Sequence, residues 1–213
     1  MREVFRQKAF FLAALAALGS ALGSARAGAQ TDVAASIYGA FSGATSGNGV
    51  AESPSNAAGG IFEVRHIKNP LVGYEATYSF NRANQTYDAS GYACPVAALP
   101  CSPPPPEPVS ANAHEVTADW VASLKLSNLR PFALAGVGAL FNEPSSGQNG
   151  TTSDTKAVFV YGAGLDWGLL PHLGLRLQYR GNLYKAPDLT TVYSSTGAFT
   201  HTAEPMIGVY FRL

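Results

Sequence analysis

Between Leu173 and Arg180 the chain alternates without a break. Leu173, Leu175, Leu177 and Tyr179 point to one side of an extended strand, and Gly174, Arg176, Gln178 and Arg180 to the other. A period of two belongs to a strand, and arginines opposite leucines demand two unlike environments. The final residues repeat the device, with Ile207, Val209, Phe211 and Leu213 opposite Glu204, Met206, Gly208, Tyr210 and Arg212. A sheet of this kind is apolar outside and polar inside, the reverse of a soluble domain. That inversion marks a transmembrane β-barrel.

Residues 1–29 read as a secretory signal peptide. Arg2, Arg6 and Lys8 make a basic start, Ala9 to Leu18 is an apolar run, and Ala25-Arg26-Ala27 or Ala27-Gly28-Ala29 fits the cleavage pattern. The apolar run is half of the about 20 residues that a spanning helix needs. No cysteine lies near the cleavage region, which argues against a lipid anchor. The expected mature domain is residues 30–213. Removing the leader takes Arg2, Glu3, Arg6, Lys8 and Arg26 from a chain of 14 basic and 14 acidic residues, leaving 10 and 13 and a net charge of −3. That balance argues against a nucleic-acid partner.

The pattern predicts eight strands, at about 33–44, 59–67, 71–83, 113–126, 131–142, 156–168, 173–185 and 200–213. Three connections are tight: Lys68-Asn69-Pro70, Ser127-Asn128-Leu129-Arg130 and Leu169-Leu170-Pro171-His172. Each contains a turn-forming residue. The other links, 45–58, 84–112, 143–155 and 186–199, are long and polar, so short and long alternate. An up-and-down barrel inserted from the periplasm produces this rhythm, with tight turns inside and long loops outside. A Greek-key sandwich does not, and its inner faces lack charge. Pro103 to Pro106 and Pro108 supply no backbone donors for a ladder, so this stretch is expected to be an extended loop tip.

Alternation also assigns the faces. Val72, Tyr74, Ala76, Tyr78 and Phe80 point outward, as do Val116, Ala118, Trp120, Ala122 and Leu124, and Phe159, Tyr161, Ala163, Leu165 and Trp167. The inward set collects Glu63, Glu75, Glu115, Asp119, Asp166 and Glu204 against Arg65, Lys125, Arg176, Arg180 and Arg212. Opposite charges hydrogen-bonded together can be held in a narrow lumen where isolated ones cannot. The expectation is therefore a salt-bridged interior instead of an open pore, since side chains nearly fill a barrel of about eight strands. Gly136, Gly138, Gly162, Gly164, Gly174 and Gly208 are expected to make room for the long arginines.

The stretch Pro131-Phe132-Ala133-Leu134-Ala135-Gly136-Val137-Gly138, then Tyr161-Gly162-Ala163-Gly164-Leu165-Asp166-Trp167, the Leu170-Pro171-His172 turn and Leu175-Arg176-Leu177-Gln178-Tyr179-Arg180 carry a family likeness. They resemble the small outer-membrane β-barrels related to the OmpA transmembrane domain and OmpX, loosely over the mature chain and most clearly over residues 130–213. The resemblance implies the outer membrane of a Gram-negative-type bacterium. It implies outer-membrane lipid and lipopolysaccharide as neighbours, with periplasmic chaperones and the barrel-assembly machinery as partners during biogenesis. Such proteins commonly end in Phe or Trp, whereas this chain ends in Leu213 with Phe211 two before it. No peptidoglycan-binding domain follows the barrel, so the anchoring role of full-length OmpA-like proteins is not expected.

Chemistry beyond this is sparse. Cys94 and Cys101, the only cysteines, are expected to form a disulfide in an oxidising compartment; a metal site on the two thiols has no nearby histidine. Histidines 66, 114, 172 and 201 show no metal-ligand spacing, and no serine sits in a nucleophile elbow. Ser194, Ser195 and His201 with Glu204 are the nearest approach to a lipid A-modifying site, but no spacing enforces triad geometry. No cofactor and no metal is expected. The expected role is non-enzymatic: a barrel displaying four surface loops for structure, adhesion or recognition. The alternatives are a narrow channel for small solutes and a lipid A-modifying enzyme.

Overall fold

The computed structural model describes residues 29–89, 105–145 and 150–213. The expected leader, up to residue 28, and the Cys94–Cys101 pair lie outside the described residues. Ten strands appear: β1 (Gln30–Ser42), β2 (Thr45–Gly47), β3 (Val50–Pro54), β4 (Ala57–Asn69), β5 (Val72–Asp88), β6 (Glu107–Ser123), β7 (Leu129–Pro144), β8 (Asp154–Gly168), β9 (Leu173–Lys185) and β10 (Phe199–Arg212). Eight of them close a ring in the order β1-β4-β5-β6-β7-β8-β9-β10, antiparallel throughout. The first and last strands seal it, with Val33 opposite Phe211 and Ile37 opposite Ile207. A closed ladder satisfies every spanning backbone group internally, which hydrocarbon requires.

The seam has one lapse. Pairing of β1 with β10 stops at Tyr38↔Met206 and resumes at Phe41↔Ala203. Pro205 lies in the gap, and proline has no N–H to give to a ladder.

The short turns are two-residue hairpins. Leu126 and Leu129 exchange backbone hydrogen bonds at 2.8 and 2.9 Å around Ser127-Asn128, and Leu170 and Leu173 exchange them at 2.9 and 3.3 Å around Pro171-His172. Ser127 takes a positive φ of 55° there.

The outer side differs from the expectation of four polar loops. Residues 45–54, read above as loop, form the β2–β3 hairpin, which prolongs β1 and β4 beyond the barrel and pairs β3 with the end of β5. Its turn is Asn48-Gly49, with φ of 52° and 77°. These are the left-handed values a type I′ turn needs, and Asn-Gly is its commonest sequence. β5 and β6 likewise run five or six residues further out than expected, pairing as far as Tyr87↔Glu107.

The faces are inverted relative to a soluble protein. Ile37, Phe62, Trp120, Val137, Leu177 and Phe211 lie exposed on the outside, while Arg65, Arg176 and Arg180 have no solvent exposure at all. Among the described residues no helix is long and apolar enough to cross a membrane; the strands make the crossing.

Candidate functional site: a charged lumen beneath a folded lid

The inner half of the lumen is an ion-pair lattice centred on Asp166 of β8. Its Oδ1 accepts Arg176 Nε at 2.8 Å, and its Oδ2 accepts Arg176 Nη2 at 3.1 Å, Arg130 Nη2 at 2.7 Å and Arg65 Nη1 at 3.4 Å. Arg65 also donates through Nε to Glu75 Oε2 at 2.6 Å, and Arg130 to Asp32. Arg176 Nη1 lies 3.3 Å from Glu63 Oε2. Arg180 carries the lattice outward, meeting Asp119 at 3.2 Å and Glu115 at 3.6 Å and donating to Thr117 Oγ1 at 3.2 Å. The Arg65 guanidinium also stacks 3.9 Å above the Phe132 ring centroid. Burial of so many charges is tolerable because each guanidinium is shared among several carboxylates.

One glycine role is corrected. The Phe132 ring packs against Gly164, where an added Cβ would collide with it. Gly136 and Gly138 instead press against the backbone of β6, at Ala118 and Val116. The glycines admit aromatic rings and neighbouring strands; the arginines then pack on the rings.

The structure brings Glu63, Arg65, Glu75, Glu115, Asp119, Asp166, Arg176 and Arg180 together. Glu204 is inward and buried at the outer end of the lattice. Arg212 sits at the inner rim, 30% exposed at its side chain, with Nε 3.8 Å from Asp32. Lys125 lies past the end of β6, exposed at the inner mouth, where it lines a cavity with Arg130 and Arg212 and stands outside the buried lattice. Asp32 and Arg130 were missed. Both share the inward parity of their strands, but both lie at positions read as preceding the strand or as turn.

Above the lattice the lumen wall mixes uncharged polar side chains with small apolar ones such as Ala111 and Leu140, and Glu115 and Glu204 are the charged groups that line its cavity. A cavity of about 40 Å³ is lined by Ser79, Asn81, Asn142, Asn182, Tyr184 and Thr202 together with those two carboxylates. A second cavity, of about 220 Å³, opens at the inner mouth beside Arg130, Tyr210 and Arg212. Between them, Ser36, Glu63, Arg65, Glu75, Thr77, Thr117, Asp119, Leu134, Asp166, Arg176 and Arg180 are all buried.

A lid closes the outer mouth. The link after β9, expected to be a displayed loop, folds inward: Leu189 is fully buried in an apolar cluster with Val50, Tyr87, Val109 and Tyr193. Tyr87 Oη donates to Pro187 O at 2.9 Å and accepts from Leu189 N at 3.1 Å, and Asn48 Nδ2 donates to Ser195 O at 2.8 Å. Asp188 N donates to Asp154 Oδ2 at 2.7 Å, which also meets Lys156 Nζ at 2.8 Å. Glu52 is buried beside this group. Burial, then the charge of Asp188, pushes its carboxyl up to about 8, with Lys156 opposing.

The serines, His201 and Glu204 are not assembled. His201 faces outward and meets Tyr161 Oη at 3.0 Å, whereas Glu204 faces the lumen and Ser194 and Ser195 lie in the lid. The other histidines are scattered too, His114 on Tyr78 and His66 on Thr31. Among the described residues no group of three or more His, Cys, Asp or Glu side chains is placed to hold a metal ion.

In fold, the chain is similar to the outer membrane protein OprG from Pseudomonas aeruginosa, with a TM-score of 0.54 at 9% identity over 86% of this chain and 96% of that one. Neisserial surface protein A matches with a TM-score of 0.50 at 12% identity, over 88% and 99%. Ail, the attachment invasion locus protein of Yersinia pestis, solved with the heparin analogue sucrose octasulfate, is 19% identical over 86% and 99%, with a TM-score of 0.49. No curated protein matches the sequence. The family model described as outer membrane protein beta-barrel domain matches residues 11–201. With its closed antiparallel ring and inverted faces, this chain belongs to that family, as an integral protein of the outer membrane of a Gram-negative bacterium.

Proposed function

We propose that this barrel is a non-enzymatic, non-conducting scaffold that displays its outer hairpins at the cell surface for a structural, adhesive or recognition role. The observation that carries the reading is the buried lattice from Asp32 to Asp119: a water-filled passage would expose the side chains lining it, and these are not exposed. Residues 1–29 are its cleavable leader and residues 30–213 its barrel domain, and Cys94 and Cys101 pair in the outer link between β5 and β6. Outward aromatic residues such as Trp120, Tyr161 and Trp167 rest against outer-membrane lipid and lipopolysaccharide. Chaperones and the assembly machinery act before insertion.

Charge narrows the surface ligand. The outer end carries Asp88, Glu107, Glu143, Asp154 and Asp188 against Arg82, Lys156 and Lys185, with Glu52 buried and largely protonated at neutral pH. A polyanion such as the heparin analogue bound to Ail would be repelled by that surplus, so a cationic or neutral partner fits better. Planar-bilayer recording of the purified protein tests the scaffold reading. No steady conductance at neutral pH is expected; a sustained open state would overturn it in favour of a narrow channel. Lipid A mass spectra with and without expression are expected to be identical, and a modified species would establish an enzyme.

A further inference from the structure

Counting charges through the lumen exposes an imbalance at one end. The inner lattice gathers Arg65, Arg130 and Arg176, with Arg212 at its rim, around Asp32, Glu63, Glu75 and Asp166. Among the described residues the outer end has Arg180 alone facing Asp119, Glu115 and Glu204, and Asp119 already holds it at 3.2 Å. Two buried carboxylates therefore exceed the cations available there.

The atoms around the outer cavity point the same way. Glu115 Oε1, Glu204 Oε2 and Asn182 Oδ1 are each buried, and none receives a hydrogen bond from a described residue. All three belong to side chains lining the same cavity, and those side chains are 4%, 3% and 2% exposed. Asn182 ties the group together, since its Nδ2 donates to Glu115 Oε2 at 3.0 Å. Glu204 Oε2 and Asn182 Oδ1 therefore lack a donor, and Glu115 Oε1 has the Arg180 guanidinium at 3.6 Å, which it shares with Asp119; acceptors so buried and so poorly matched by cations require a further positive charge or a proton. One water needs roughly 10–15 Å³ of such space, so the cavity of about 40 Å³ has room for an ion with one or two waters.

We propose that Glu115, Glu204 and Asn182 form a binding site for one hard divalent cation in the outer half of the lumen. Two carboxylates supply the charge of a divalent ion, the amide oxygen a third ligand, and water the remainder, which is the all-oxygen coordination that Ca²⁺ accepts. Asn182 in this arrangement orients Glu115 through its nitrogen and ligates through its oxygen. The surplus of acid at the barrel mouth concentrates cations at the entrance.

Calorimetric titration of the folded, detergent-solubilised protein with CaCl₂, after exchange into EDTA and then chelator-free buffer, tests the site. One ion per barrel is expected, together with a higher thermal midpoint in Ca²⁺ than in EDTA. Glu204→Gln and, separately, Glu115→Gln should each weaken binding by roughly tenfold or more while keeping the shape of the side chain. Asp154→Asn, in the lid contact, should leave it unchanged. Absence of binding by the wild type, which would mean that a carboxyl keeps its proton instead, overturns the proposal. So does binding that survives Glu204→Gln but is lost in Asp154→Asn. Should either glutamine variant fail to fold, the other variant and the wild-type midpoint in Ca²⁺ against EDTA decide alone.

Discussion

At the scale of single residues, Asp166 does most to hold the lumen together, because one carboxylate accepts from guanidinium groups on three strands: Arg65 of β4, Arg130 of β7 and Arg176 of β9. Asp166→Asn keeps the shape and removes the charge, leaving three buried cations short of a counter-ion. Breaking a buried pair costs about 3–5 kcal/mol. The variant should lose its folded, fast-migrating gel band at a clearly lower temperature than the wild type. Lys125→Ala, on a side chain that sequence alternation assigns to the same network but that sits in water, should change stability by less than about 0.5 kcal/mol. Equal effects of the two would contradict the lattice. The contrast also locates the limit of sequence reading. Parity identifies inward residues wherever a strand continues, as it does for Glu75 or Arg180, but it says nothing about where the strand ends. Asp32, just before an expected start, was missed for that reason, and Lys125, just past a true end, stays in water at the inner mouth instead of joining the buried lattice.

At the scale of elements, the eight spanning strands were legible because the bilayer imposes two unlike faces on each of them, and the period of two records it. The outer extensions were not, because beyond the bilayer both faces of a strand can be polar and the alternation fades. The Asn48-Gly49 pair was the remaining local signal for the β2–β3 hairpin, and it lies among Ser, Thr and Gly residues that read as loop. The inward fold of the lid had no local signal at all; Leu189 is buried by Tyr193 of its own link and by residues from three other segments. The charge of Asp188 beside the buried Glu52 carboxyl makes the lid sensitive to pH. The titratable and charged groups around that carboxyl are Asp188 in the lid, Asp154 and Lys156 of β8 and Tyr87 of β5. Glu52 holds its proton more tightly folded, at about 8, than in the unfolded chain, where its ordinary value is 4.5. The folded state thus binds the extra proton between those values, so lid stability is full below the window and falls as pH rises through it. Hydrogen exchange at the Leu189 amide, compared between wild type and Glu52→Gln, should be alike at pH 5 and faster in the wild type at pH 9. A constant ratio across that range would remove Glu52 as the cause.

At the scale of the whole molecule, charge is graded along the barrel axis. Lys68, Lys125 and Arg212 lie at the inner turns, seven carboxylates and four arginines fill the lumen, and the outer end is acidic. The lumen is therefore acidic by count even though it is sealed, and any passage opened through it should inherit that sign. Arg176→Ala removes the wholly buried cation that touches Glu63, Glu75 and Asp166 together. It leaves a void the size of the side chain within the buried section and three carboxylates with fewer partners. Water entering to solvate them joins the outer cavity to the inner one. The variant should unfold at lower temperature and show brief openings in planar bilayers where the wild type shows none. Under a salt gradient the reversal potential of those openings should report selectivity for cations, because the remaining wall charge is negative. Anion selectivity would mean that the inward carboxylates are not the groups lining the breach, and unchanged stability together with silent bilayers would mean that Arg176 does not hold the section closed.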